Sequence, residues 1–114
     1  MQQRFRLRQS KDFARLRQEG RVYRHPFLVL SVAPNDLSHN RYGFVTSKHL
    51  GNAVKRNRVR RLLREAIRHL HPRLKPGFDV VMVVRDQLVG QPYSTVERTI
   101  VEMFRRSSML VESE

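Results

Sequence analysis

The seven residues FDVVMVV, Phe78–Val84, are the densest apolar run in the chain. A run this short and this apolar belongs in the middle of a sheet rather than at its edge. The rest of the chain must then supply strands beside it and helices to cover it. QSKDFARLRQEG reads as a short helix, with Ser10 as N-cap, Phe13 and Leu16 on its inner face and Gly20 as its stop. RVYR and HPFLVLSVA read as two strands broken at His25-Pro26, because proline has no N–H to give to a ladder. PNDLSHN has the chemistry of a loop. RYGFVTS alternates as a half-buried strand, with Tyr42, Phe44 and Thr46 on one side and Gly43, Val45 and Ser47 on the other. YSTVERTIVEMFRR opens with a capping box, Ser94 and Glu97, and carries Val96, Ile100, Met103 and Phe104 at helical spacing. The order is α-β-β-β-α-β-α, an α+β fold with a sheet of about four strands flanked by helices. At 114 residues the chain supports one core, hence a single domain over 1–114.

The fifth of these elements, GNAVKRNRVRRLLREAIRH, carries the functional signal. Val59, Leu62, Leu63, Ala66, Ile67 and Leu70 form an uninterrupted apolar stripe for the core. Asn57, Arg60, Arg61, Arg64 and Arg68 fall on the opposite face, while Lys55, Arg56 and Arg58 crowd the first turn. From Lys55 to Arg68 there are seven Lys or Arg residues against one acid, Glu65. Cations in a helix's first turn oppose its dipole, so the arrangement is costly unless an anion docks there. A solvated basic face is the ordinary reading of a charged helix; the excess, the preference for Arg and the unfavourable end favour phosphate binding instead.

Charge along the whole chain agrees. Lys and Arg number 23 against 10 Asp and Glu, for a net +13. All of that excess lies in residues 1–68, which hold seventeen basic groups and four acids, whereas residues 69–114 hold six of each. Solubility alone does not require such asymmetry; a polyanionic partner does. The basic helix lacks the Trp or Phe anchors of a membrane-surface helix, which leaves nucleic acid as the better partner. There is no cysteine, hence no disulfide or thiolate metal site. No apolar run approaches the ~20 residues of a membrane span, so a soluble cytoplasmic protein is expected.

A protein-borne nuclease site is not expected. The acids are scattered, Asp79 and Asp86 bracketing a strand, and His69 and His71 have no evident third metal ligand. No catalytic or metal-ligating residue is assigned. Phe44, Phe78 and Phe104 are expected in the core, and Gly43 and Gly51 to meet backbone needs.

GNAVKRNRVRRLLRE closely resembles the Arg-Asn-Arg signature of the bacterial ribonuclease P protein subunit, and RYGFVTSKHLGN resembles the strand and turn that precede it. SKDFARLRQEGR is similar to that family's first helix and FDVVMVVR to its last strand, so the resemblance spans nearly the whole chain. It implies a left-handed crossover around the basic helix. It also implies the function: a small protein that joins a catalytic RNA and helps it remove the 5′ leader of precursor tRNA. The implied partners are that RNA and precursor tRNA, with no membrane and no obligatory protein partner. Mg2+ is implied as a cofactor, bound mainly through the RNA.

The family's motif positions fall on Arg56, Asn57, Arg58, Arg60, Arg61 and Arg64, with Lys55 and Arg68 beside them, as the RNA-subunit surface. A cleft between the first helix and the sheet is implied for the leader, and is assigned here to Phe13, Arg17, Leu30, Lys48 and His49. Phe13 keeps the aromatic of the first helix, which can stack a base. Arg17 stands where some members have a second aromatic, Leu30 where some have a tyrosine, and Ser47-Lys48-His49 where Ser-Lys-Lys is usual. The alternatives are a structural ribosomal or RNA-assembly protein with no substrate of its own, and a ribonuclease that acts alone.

Overall fold

The structure is a computed structural model that describes residues 2–111; the remaining residues of the domain expected over 1–114 lie outside the described residues. Its elements are α1 (Ser10–Glu19), β1 (Arg21–Arg24), β2 (Leu28–Pro34), β3 (Arg41–Val45), α2 (Ala53–Leu70), β4 (Phe78–Val84) and α3 (Tyr93–Arg106). The expected order is therefore present. The four strands form one sheet in the order β1-β2-β4-β3. β2 is antiparallel to both β1 and β4, and β3 runs parallel to β4, so α2 is the crossover that joins two parallel neighbours.

β4 is central, paired along its length on both sides, as its composition demands. Its alternate residues separate two layers. Val80, Met82 and Val84 join Leu28, Leu30, Val32 and Tyr42 beneath α2 and α3, in the main core. α2 contributes Val59, Leu63, Ala66, Ile67 and Leu70, and α3 contributes Val96, Ile100, Met103 and Phe104, all buried, in agreement with the helical spacing. Phe44 and Phe78 pack against the same core, partly buried. On the other side Leu7, Leu16, Ala33 and Val81 make a smaller cluster under α1, joined by Phe13 and Val45.

The helix ends depart from expectation in two places. α3 begins at Tyr93, one residue before Ser94, with Pro92 as the cap residue and no side-chain cap. The expected Ser94–Glu97 box is not formed, because Glu97 Oε2 instead accepts the Tyr93 hydroxyl at 3.0 Å. Likewise Ser10 is the first helical residue of α1 and Gln9 the uncapped flank. Gly20 does stop α1, though with φ −72° and no left-handed turn; a Cβ there would lie 2.5 Å from the Leu16 carbonyl oxygen.

Asp79 does more than bracket β4. It is 0% exposed. Its oxygens accept from Arg41 Nε at 2.8 Å and Nη2 at 2.7 Å, from Asn35 Nδ2 at 3.0 Å, and from Arg15 Nη2. Arg15 belongs to α1, so this buried carboxylate ties α1 to the sheet. Burial pushes the Asp79 pKa up, but the bonds from Arg41 and Asn35 and the two arginine charges outweigh it and hold the pKa below its ordinary value.

Candidate nucleic-acid interface

The tight turn before α2 sets the position of the basic face. Gly51 sits at φ 133°, a backbone region that side chains rarely adopt, and a Cβ on it would also lie 2.9 Å from Lys55 Cδ. Asn52 then caps the helix, its Oδ1 accepting the Lys55 N–H at 3.0 Å. This cap satisfies only one of the four free N–H groups of the first turn, which contains no acid. Val54, 76% exposed, leaves an apolar spot among the cations.

Of the expected RNA-facing residues, Lys55, Asn57, Arg58, Arg61 and Arg68 are exposed, and Arg56, Arg60 and Arg64 are half-buried along the flanks of the helix. Arg60 Nη1 donates to Asn57 Oδ1 at 3.0 Å, which fixes the two side chains together. Arg58 Nη1 reaches the Gln91 carbonyl at 3.5 Å, the outer limit of a hydrogen bond. Arg56 Nε is buried with no hydrogen-bond partner among the described residues. Arg68 differs from the others. Its Nε and Nη2 bind both oxygens of Glu65, at 3.2 and 2.6 Å, and Glu65 also meets His69 Nε2 at 3.1 Å. Arg68 thus has an acidic neighbour that the other cations lack among the described residues, and the cationic face is densest in the first three turns of α2.

On the opposite side of the sheet, α1 covers only part of the surface. The strand register places Val29, Val83 and Val45 in one row and Ser31, Val81 and Gly43 in the next, all facing the α1 side. Val83 remains 37% exposed, and Val22, opposite Ser31 on β1, 44%. The result is an open apolar strip beside α1. Phe13 lies at its border, half-buried, with its ring against Gly43; a Cβ at residue 43 would approach Phe13 Cζ to 2.8 Å. Gly43 is therefore the seat of the Phe13 ring. Arg17, one turn further along α1, is exposed. Lys48 and His49 are exposed in the short turn after β3, and His49 Nε2 meets Asp86 Oδ1 at 3.1 Å.

Leu30 is a correction. It is 0% exposed and lies in the main core beneath α2 and α3, on the face away from α1. Side chains alternate along a strand, so the strip is formed by its neighbours Val29 and Ser31, and Leu30 can touch no ligand there. These two residues were missed, and the alternation of β2 fixes them only once its inward face is known.

Among the described residues no group of three His, Cys, Asp or Glu side chains is placed to hold a metal ion, and no helix is long and apolar enough to cross a membrane. A helix with a dense cationic face, packed across one side of a four-stranded sheet whose other side is partly bare, has the character of a small RNA-binding protein.

Comparison with known proteins narrows that class. The family model of ribonuclease P matches residues 1–108. The ribonuclease P protein component of Chloroflexus aurantiacus is 41% identical over 96% of this chain and 82% of its own length. That of a Roseiflexus species is 36% identical over 100% and 94%. Among solved structures, the ribonuclease P protein of Thermotoga maritima, in complex with 1-(4-fluorophenyl)-2-thiourea, aligns with TM-score 0.83 at 28% identity, covering 89% of this chain and 98% of that one. A Staphylococcus aureus ribonuclease P protein shares the fold with TM-score 0.88 at 22% identity, covering 94% and 91%. The chain belongs to the ribonuclease P protein family. Its role is that of a subunit of this tRNA-processing endoribonuclease, and the ribosomal or assembly-protein alternative is not favoured.

Proposed function

We propose that the protein binds the catalytic RNA subunit through α2 and the 5′ leader of precursor tRNA through the strip beside α1, and so assists removal of the leader. The observation that carries this reading is the face of α2: seven cations, one acid, and a first turn in which the side-chain cap meets only the Lys55 N–H while Lys55, Arg56 and Arg58 add their charges there. Guanidinium groups on a rigid helix match the phosphates of a folded RNA. Asn57 and Arg60, already bonded to each other, add a preset pair of donors. The strip has the other character, an aromatic ring with loosely placed charges at Arg17, Lys48 and His49, which suits an unpaired strand.

In this reading the bond is broken by chemistry housed in the RNA. Mg2+ is held mainly by RNA phosphates, since the described acids are scattered or, like Asp79, already committed to arginines. The protein works in the cytoplasm without an obligatory protein partner. The test is to purify the chain with its bound RNA and assay precursor tRNA with protein alone, RNA alone and both. Cleavage that needs the RNA, and that the protein improves at low salt and low Mg2+, is expected. Cleavage by RNA-free protein would overturn the assignment of chemistry to the RNA, and equal affinity for precursor and mature tRNA would overturn the leader site.

A further inference from the structure

The segment before α1 is not a loose arm. Phe5 packs its ring 4.6 Å from His71 and 5.5 Å from His39, and lines a cavity of about 290 Å³ with Tyr42, Ile67, Arg68 and His71. Arg6 then makes a parallel bridge to Tyr42, and the Leu7 N–H donates to the Tyr42 carbonyl at 2.8 Å. Residues paired across a bridge point to the same side of a sheet. Tyr42 points under α2, so Arg6 is delivered to the α2 side at the outer edge of β3. There its charge is felt by Arg64, one turn before Ile67 and Arg68 on the flank of the helix.

Resting on the reading of α2 as the RNA-subunit surface, we propose that Arg6, Arg60 and Arg64 form one slot for an RNA backbone phosphate, which makes the N-terminal segment a second element of that surface. All three arginines are half-buried, and none takes part in an ion pair among the described residues. Arg6 Nε is buried with no hydrogen-bond partner among them. Burial, then the charges of Arg6 and Arg60, pull the Arg64 pKa below its ordinary value, as expected of cations gathered without a counter-charge. Such a cluster costs the free protein stability and is relieved by an anion. An RNA backbone phosphate carries its charge on two non-bridging oxygens, each of which can accept from more than one guanidinium N–H, so converging forks can share it. By contrast the other buried arginine site, Arg15 and Arg41, already holds its anion in Asp79.

The test uses the full chain and the ribonuclease P RNA subunit. Arg6→Met keeps the packed stem and removes the charge. It should weaken RNA binding roughly ten- to a hundredfold, the loss of a charge-assisted contact, and flatten the slope of log affinity against log salt by less than the ~0.7 to 0.9 of a whole lost phosphate, because Arg60 and Arg64 still hold it. Its melting temperature should be unchanged or higher, because a repulsion is removed. In a double-mutant cycle, Arg6→Met and Arg64→Met should lose less together than the sum of the two, since both serve one phosphate. Arg98→Met, an equal charge change on α3, should have a smaller effect on binding. Additive losses, or a lowered melting temperature with RNA affinity intact, would overturn the slot. Should Arg61→Ala weaken binding while Arg6→Met does not, the slot fails and the α2 surface stands; if neither weakens it, the α2 reading itself fails.

Discussion

Two residues set what the outer layer can do. Asp79 is the only fastener of α1 that is both charged and fully buried among the described residues. Arg41 also meets Asp12 at 3.6 Å, and Arg15 donates to the Pro34 carbonyl at 3.1 Å. Asp79→Ala should cost about 2–3 kcal/mol, the loss of charge-assisted hydrogen bonds to two half-buried arginines that keep weaker partners. The pH dependence follows from the direction of its shift. Its folded pKa lies below the unfolded one, so its stabilisation is complete above about pH 4 and lost as pH falls through the folded value. Urea titrations at neutral and acid pH should show the gap between wild type and Asp79→Ala narrowing in acid. A gap constant with pH would mean that packing, not the carboxylate, is lost. Gly43 is the second. Gly43→Ala should displace the Phe13 ring and destabilise the protein by about 1–3 kcal/mol, most of it recovered in a Phe13→Ala background. Equal costs in both backgrounds would show that the clash is with Leu7, whose Cβ is 3.2 Å away.

At the scale of elements, the proposed function asks α2 to serve a core and an RNA at once, and its two faces divide the work. Leu63 is 0% exposed and Arg61 exposed, two residues apart. Leu63→Ala should lower stability by roughly 2–5 kcal/mol, whereas Arg61→Ala should leave the melt within about 0.5 kcal/mol of wild type and weaken RNA-subunit binding. Thermal melts decide it; a larger drop for Arg61→Ala would contradict the division. This face was legible in the sequence because helical periodicity is local: the stripe from Val59 to Leu70 needs no knowledge of its partner. The same holds for β4, whose composition alone put it in the middle. Leu30 was not legible, since LVLSVA is apolar at nearly every position and does not say which set of alternate side chains meets α1, and a shift of one residue exchanges Leu30 for Val29 and Ser31. The role of Asp79 is not legible in the sequence because its partners, Arg15 and Arg41, are 64 and 38 residues away. Arg6 belongs to a segment with no period at all, and its bridge to Tyr42 is visible only in the folded chain.

Over the whole molecule, the +13 charge sorts into charges that hold the fold and charges left for a ligand. Arg15 and Arg41 are spent on Asp79, and Arg68 on Glu65. What remains concentrated is the start of α2 and its flank, on one side of the sheet, with the apolar strip and Phe13 on the other. A sheet between them keeps the two surfaces apart; under the proposed function, a folded RNA and a single strand can then be held at the same time. The central claim is that these surfaces are independent. The most direct measurement compares, for wild type, Phe13→Ala and the double variant Arg58→Ala, Arg61→Ala, two affinities: protein for the RNA subunit without substrate, and protein-saturated holoenzyme for precursor against mature tRNA. The arginine variant should lose RNA-subunit affinity, and excess protein should restore precursor cleavage. Phe13→Ala should keep RNA-subunit affinity and lose about 1–3 kcal/mol of precursor binding, with mature tRNA unchanged. Should Phe13→Ala instead weaken assembly, or change precursor and mature tRNA equally, the two-surface account is contradicted.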